Sequence, residues 1–431
     1  MIYLLYDLSL YLSALFLVPY YLLRGLRYGK ARHGIRERLG IFRQDLRQLF
    51  QGRKVIWVHA VSVGETRAAI PLLKALRKSY PDAKILLSNV TETGRKIAAG
   101  IHEIDHFIFF PFDLRWVVRK SLNIISPDII ILVETEIWPN FVLEAKARNI
   151  PLVLVNGRIS DRSFPRYRMA GKLLPPILDT ISDYCMQSEQ DSRRIRHLGA
   201  PSGRVRVTGN LKFDMQPPQI NNDELEALRR ELRFPRQARI WVAGSTHDGE
   251  ESQLIDVYQR LREICPELIL VLVPRHPERC RQVQDDLGKR NIATVLRSAL
   301  AEMSRNLQPG EVMIVDTLGE VLKLYALSDL VFVGGSLVDI GGHNILEASL
   351  MKKPVMYGSH MQNFKEIARL VRAAHAGMQV KNADDLYRQM RILIENPDEA
   401  IRIGENGHHL LEQNRGATQR TLEVINRRMR S

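Results

Sequence analysis

The residues best able to do chemistry are carboxylates placed where apolar runs end. The first lies in VHAVSVGE (58–65), where Gly-Glu follows a strand-like run and opens a helical pattern. A carboxylate there has two readings. Glu65 stabilises the positive end of a helix dipole, or it serves in a cleft as general base for an attacking hydroxyl. VETEIWPN (133–140) adds Glu134 and Glu136 at the end of another apolar run. Buried charge is costly without a partner, so at least Glu134 is expected to face a cleft. A metal-binding E-x-E pair is disfavoured, since no histidine accompanies the carboxylates and no apolar strand ends in D-x-D. GNLKFD (209–214) brings Lys212, which can neutralise an anionic substrate or stand as a solvated surface charge.

Anion-binding chemistry concentrates in the second half. STHDGEES (245–252) is a polar loop between a strand and a helix, suited to contacts at a helix N-terminus. In LVPRHPER (272–279), Arg275 directly follows Pro274 and is placed to take a phosphate bidentately. DTLGE (316–320) begins a helix with a glycine turn. GGSLVDIGGHNILEA (334–348) has glycines that permit close backbone approach to a phosphate, and Glu347 can accept both hydroxyls of a ribose. Glycines end strands in many folds, so each turn alone says little. The GGS strand end, HNILEA and the upstream PRHPER form a specific combination.

These segments need strands and helices to hold them. Candidate strands at 55–60, 84–89, 107–110, 128–133, 151–155 and 206–208 alternate with helical patterns such as 66–79 and 92–100. After MQPPQINN (215–222), a polar stretch with paired prolines, the alternation restarts at 239–243, 268–273, 312–315, 330–333 and 354–357. Such alternation predicts an α/β fold of two doubly wound domains facing a shared cleft, with functional loops at the C-terminal ends of the strands. The expected boundaries are 1–23 for an N-terminal helix, 24–214 and 236–412 for the domains, and 215–235 for a linker. A helix over 413–431 is expected to return toward the N-terminal domain.

At 431 residues, with 45% hydrophobic and 26% charged residues, the chain is globular and long enough for two or three domains. Its net charge is +14. Nine Lys/Arg fall between Arg24 and Arg53 against Glu37 and Asp45, directly after the one strongly apolar stretch. That placement favours an anionic lipid surface over nucleic acid, for which no module is recognised. Residues 1–23 would form a helix of roughly 34 Å, enough to span a hydrocarbon core of about 30 Å. The basic run would keep the rest cytoplasmic. Asp7 and the tyrosines suit a helix lying in the interface equally well. Cys185, Cys265 and Cys280 lie far apart, which argues for a reducing compartment and against a disulfide framework or structural metal.

The seven motifs, in this order, resemble the 3-deoxy-D-manno-octulosonic acid (Kdo) transferases of lipopolysaccharide synthesis, from the N-terminal segment to about Gln413. The resemblance implies a GT-B fold, an N-terminal domain for the lipid A precursor and a C-terminal domain for CMP-Kdo. It implies an inverting, metal-independent transfer without cofactor at the cytoplasmic face of the cell inner membrane. Glu65 falls on the base position, and Glu134 and Lys212 on positions that stabilise the transition state. Pro274, Arg275, Leu318, Gly319, Glu320, Asn344, Ile345, Leu346 and Glu347 fall on the nucleotide-binding positions. The alternatives are a nucleotide-sugar 2-epimerase-like enzyme, which needs no membrane anchor, and a non-catalytic nucleotide- or lipid-binding protein, which needs no Glu65.

Overall fold

The computed structural model describes residues 6–13, 34–43, 45–218 and 220–430. The chain divides into two compact units, one formed by 1–215 with 414–431 and the other by 216–413. Each is built on a seven-stranded, wholly parallel sheet.

In the first unit the strands are β1 (Val55–His59), β2 (Lys84–Asn89), β3 (His106–Phe109), β4 (Ile129–Val133), β5 (Leu152–Gly157), β6 (Asp183–Met186) and β7 (Val205–Val207). Their order is β3-β2-β1-β4-β5-β6-β7, so the winding reverses between β1 and β4. Helices cover both faces, which is why β1 and β4 read as unbroken apolar runs instead of alternating ones. Alternate residues still go to opposite cores. Val55, Trp57, Ile130 and Leu132 pack on one face, while Ile56, Val58, Ile129 and Ile131 pack on the other. Ala417, Leu422, Val424 and Ile425 of the C-terminal helix Ala417–Arg430 complete the second core. Asp214 fixes the start of that helix by accepting the backbone N–H groups of Gly416 and Thr418.

The second unit repeats the plan with β8 (Arg239–Thr246), β9 (Leu268–Pro274), β10 (Thr294–Leu296), β11 (Val312–Ile314), β12 (Leu330–Val333), β13 (Val355–Tyr357) and β14 (Met378–Gln379). The order β10-β11-β9-β8-β12-β13-β14 puts its reversal between β8 and β12. Trp241, Leu270, Leu272, Phe332 and Met356 anchor its main core. Residues 222–231, within the stretch read as a linker, form a helix closed by a reciprocal Asn221–Glu224 capping box.

β6, β10 and β14 escaped the sequence reading. They are short, and DYCM and MQ lack the β-branched signature on which that reading relied.

Of the proposed N-terminal anchor, residues 6–13 are helical and the rest lie outside the described residues. Among the described residues no helix is long and apolar enough to cross a membrane. Asp7, which interrupts the apolar stretch, accepts a hydrogen bond from Asn140 Nδ2 at 2.6 Å. Tyr6 Oη donates to Asp113 at 2.8 Å.

Candidate active site

The loop after β1 builds its carboxylate site from a helix cap. Ser62 has extended backbone, and its Oγ accepts the Glu65 N–H, starting the helix Val63–Ser79. The Glu65 side chain folds back over the cap. Its Oε2 accepts the Val61 N–H at 2.7 Å and its Oε1 accepts the Ser62 hydroxyl at 2.9 Å. Glu65 is nonetheless buried, and burial first, with the charge of Glu134 second, raises its carboxyl to about 8. A capping contact and a raised proton affinity therefore coexist in one residue.

Glu134 follows β4 and takes a left-handed conformation at φ 60, held by its N–H to the Val155 carbonyl at 2.8 Å. Left-handed backbone in a non-glycine residue carries strain that recurs at functional sites. Lys212 arrives from the short helix Leu211–Asp214, and its Nζ donates to Glu134 Oε1 at 3.3 Å. Asn156, buried and itself left-handed at φ 53, positions this turn by accepting the Leu211 N–H at 3.0 Å. Asn210 Oδ1 then accepts the Lys212 N–H. Glu136 is pushed up by burial and then by Glu134. Because β1 and β4 are adjacent and parallel, Glu65 and Glu134 both follow strand ends at the reversal of the winding. That is where ligands bind in such sheets.

The second unit holds the nucleotide-binding candidates, and they lie at or beyond the C-terminal ends of β9, β11 and β12. Pro274 ends β9, and the Arg275 N–H donates to the Thr246 carbonyl at 3.0 Å. Leu318 is 67% exposed, and Gly319 has φ 90, a turn open to glycine. Glu320 precedes the helix Val321–Leu327 and accepts Arg297 Nη2 at 3.0 Å. Asn344 Oδ1 accepts the Leu346 N–H at the entry to the helix Leu346–Leu350. Ile345 and Leu346 are fully buried, so their side chains belong to the core and only their backbone is available to a ligand. Glu347 lies in the first turn of that helix. Glu65, Glu134 and Lys212 thus group in one unit and the other nine residues in the other.

Glu250 went unrecognised in sequence. Its fully buried carboxylate accepts the N–H groups of His247, Gly335, Ser336 and Leu337 at 2.7–3.0 Å. It ties the turn after β8 to the turn after β12. A Cβ at Gly334 would lie 2.6 Å from the Ser245 carbonyl oxygen, so glycine is required for that approach. The segment STHDGEES contains this residue, but nothing in its spacing tells which acid turns inward.

The family description "3-Deoxy-D-manno-octulosonic-acid transferase (kdotransferase)" matches residues 33–215. A 3-deoxy-D-manno-octulosonic acid transferase of Haemophilus influenzae is 37% identical over 374 residues, spanning 86% of each chain. The chain belongs to the Kdo transferase family. It is a glycosyltransferase. The Chlamydophila psittaci transferase is 29% identical and matches 98% of this chain and 96% of its own. The fold has solved counterparts at low identity. UDP-GlcNAc 2-epimerase from Neisseria meningitidis superposes with TM-score 0.60 at 15% identity, over 88% of this chain and 100% of its own. A glycosyltransferase from Rickettsia africae gives 0.59 at 15%, over 88% and 98%. These likenesses concern the fold alone, and the two parallel-sheet units are those of the GT-B class.

Proposed function

We propose that this Kdo transferase moves Kdo from CMP-Kdo to a lipid A precursor by single, inverting displacement, with Glu65 as general base. The observation that carries the reading is Glu65 itself. It is a buried carboxyl raised to about 8 at the sheet reversal, beside the Glu134–Lys212 pair. Once ionised, a carboxylate of that proton affinity is a stronger base toward a hydroxyl than an ordinary one.

In this reading the first unit binds the acceptor and the second binds CMP-Kdo. Ionised Glu65 removes the proton of the acceptor hydroxyl, whose oxygen attacks the anomeric carbon of Kdo. The bond from that carbon to the phosphate oxygen breaks, its electron pair stays on the phosphate, and CMP departs. Glu134 stabilises positive charge developing on the sugar ring, and Lys212 holds that carboxylate in place while countering the negative charge of the donor. Arg275, the backbone at Gly319 and the helix start at Leu346 receive the nucleotide, with Glu320 and Glu347 at the ribose. Lys212 stands as the cation beside Glu134, so the reaction is expected to run without a metal.

The acceptor's acyl chains place the reaction at a membrane. The basic run 24–53 and the apolar N-terminal segment favour the cytoplasmic side of an anionic inner membrane, with the segment spanning or lying in the interface. In the described part, Leu8, Tyr11 and Leu12 are exposed.

The test is to incubate the purified protein with CMP-Kdo and tetraacylated lipid A precursor in detergent containing EDTA, and to weigh the lipid by mass spectrometry. Addition of one or more Kdo masses is expected. An unchanged lipid from folded protein contradicts the assignment of donor and acceptor, and product that vanishes only with EDTA contradicts metal independence.

A further inference from the structure

The turns after β8 and β12 bring together two histidines that have no role in the reading above. His247 Nε2 and His343 Nε2 lie 2.8 Å apart. Their rings are within 7° of parallel, with centroids 5.1 Å apart. A centroid separation so much larger than the nitrogen separation means that the rings meet edge to edge and share a proton in line. Both turns are fixed from beneath by Glu250. Gly335, at φ 65, leaves the pair its space, for a Cβ there would stand 3.1 Å from His343 and 3.2 Å from His247. The pair therefore sits at the reversal of the second sheet, the counterpart of Glu65 and Glu134 in the first.

We propose that His247 and His343 form an anion subsite that takes up one proton when an anionic group of the donor docks. This rests on the reading of the second unit as the nucleotide-binding one. The proton arithmetic follows from the contact. In the neutral pair, one Nε2–H donates to the other Nε2, so one ring keeps an unprotonated Nδ1. A single added proton fills that Nδ1 and leaves the bridge intact. A second would set two N–H groups head to head across 2.8 Å. The pair is thus a device for one positive charge.

Its surroundings keep that charge off until an anion arrives. Arg275 and His276, from the end of β9, disfavour a proton on either ring, and Arg279 beyond them disfavours one on His247. Arg279 is ion-paired with Asp248 and Glu251, and the Glu250 carboxylate is engaged by four backbone N–H groups. Burial acts first on both rings; His276 and the two arginines come next in holding His247 down at about 4, and His247 itself, then Arg275, in holding His343 at about 3. A phosphate or sugar carboxylate reverses that balance. Where the anion is the phosphate, the charge met is larger on released CMP, a phosphomonoester, than on the donor's diester. The protonated pair then favours cleavage over the ground state.

The experiment is titration calorimetry of the full-length protein in detergent, in two buffers of different ionisation enthalpy. It is run near pH 7.5, where a phosphomonoester with second pKa about 6 is a dianion. The probes are CMP, cytidine and free Kdo. Uptake approaching one proton with CMP and none with cytidine assigns the pair to the phosphate. Uptake with Kdo but not with CMP assigns it to the sugar carboxylate. His343→Gln, checked for cooperative melting, is expected to abolish the uptake and to weaken the responsible anion at least tenfold, leaving cytidine unaffected. Binding of CMP and Kdo without proton uptake by the wild type overturns the inference alone, as does uptake that persists in His343→Gln. Failure of the folded wild type to bind CMP at all overturns the donor reading and the inference together.

Discussion

Lys212 Nζ lies 3.3 Å from Glu134 Oε1, joining residues 78 positions apart in sequence. The contact bears on Glu65 as well, because the Glu134 charge is the second-largest contribution, after burial, to the raised proton affinity of Glu65. Glu134 thus stands between the two, paired with Lys212 and raising the proton affinity of Glu65. Lys212→Met leaves the Glu134 charge uncompensated and is expected to raise the Glu65 midpoint, whereas Glu134→Gln lowers it. Each variant loses turnover, and the double variant loses less than the two combined, since neither residue keeps its role without the other. The pH–rate profiles of the three variants check this, and shifts in one common direction contradict it.

In the proposed role of base Glu65 must be ionised, so kcat/KM is expected to rise about tenfold per pH unit below the midpoint near 8 and to level above it. Its stability effect has the opposite sign. The folded midpoint of about 8 lies above the ordinary 4.5, so the fold is favoured by the protonated carboxyl. Stability is lost as pH rises from the ordinary value through about 8. Glu65→Gln is therefore expected to raise Tm at pH 9, by roughly 2–4 °C per kcal/mol regained, while removing activity. Melting curves at pH 6 and 9 show whether the gain is confined to the alkaline side.

His59 sets an acid limit. It is fully buried and stacks on Phe110 with ring centroids 3.7 Å apart, and its Nδ1 meets the Ser88 hydroxyl at 3.0 Å. Burial holds its midpoint near 3, below the ordinary 6.5. The unfolded chain consequently binds the extra proton first, and stability is lost as pH falls from about 6.5 toward 3. His59→Phe is expected to flatten the acid slope of ΔG by up to about 1.4 kcal/mol per pH unit. Denaturant titrations at pH 4 to 7 measure that slope.

Asp113 is a cap borrowed from a neighbouring loop. Its carboxylate accepts the N–H groups of Asn140 at 3.1 Å and Phe141 at 2.8 Å, the first turn of the helix Pro139–Ala147. Trp138, the residue before that helix, offers no side-chain cap of its own. Asp113→Ala is expected to cost about 1–2 kcal/mol, within the range for lost caps, with Tyr6→Phe costing less. Thermal melts of both variants compare the two.

Much of the fold was legible because the central strands are buried on both faces. IIILV and LILVLV read as strands through their continuity, and the loops after them read as functional through their polarity. Glu65, Glu134 and Lys212 each stood out in the sequence as candidates beyond a strand end. Their grouping did not, because the Lys212 contact depends on Asn156 and Asn210 turning the backbone, and asparagines in turns have many uses. The His247–His343 bridge was hidden for a related reason. Two histidines 96 positions apart carry no common spacing, and only the pairing of β8 with β12 brings their turns together.

The central claim is that Glu65 removes the acceptor proton. Its most direct measurement is the rate of Kdo transfer by Glu65→Gln beside wild type, at pH 8 in EDTA, with CMP affinity measured in both. The account predicts unchanged CMP binding and a transfer rate reduced by at least about a hundredfold, within the range assigned to general-base catalysis. A variant that transfers Kdo within a few-fold of wild type would contradict it.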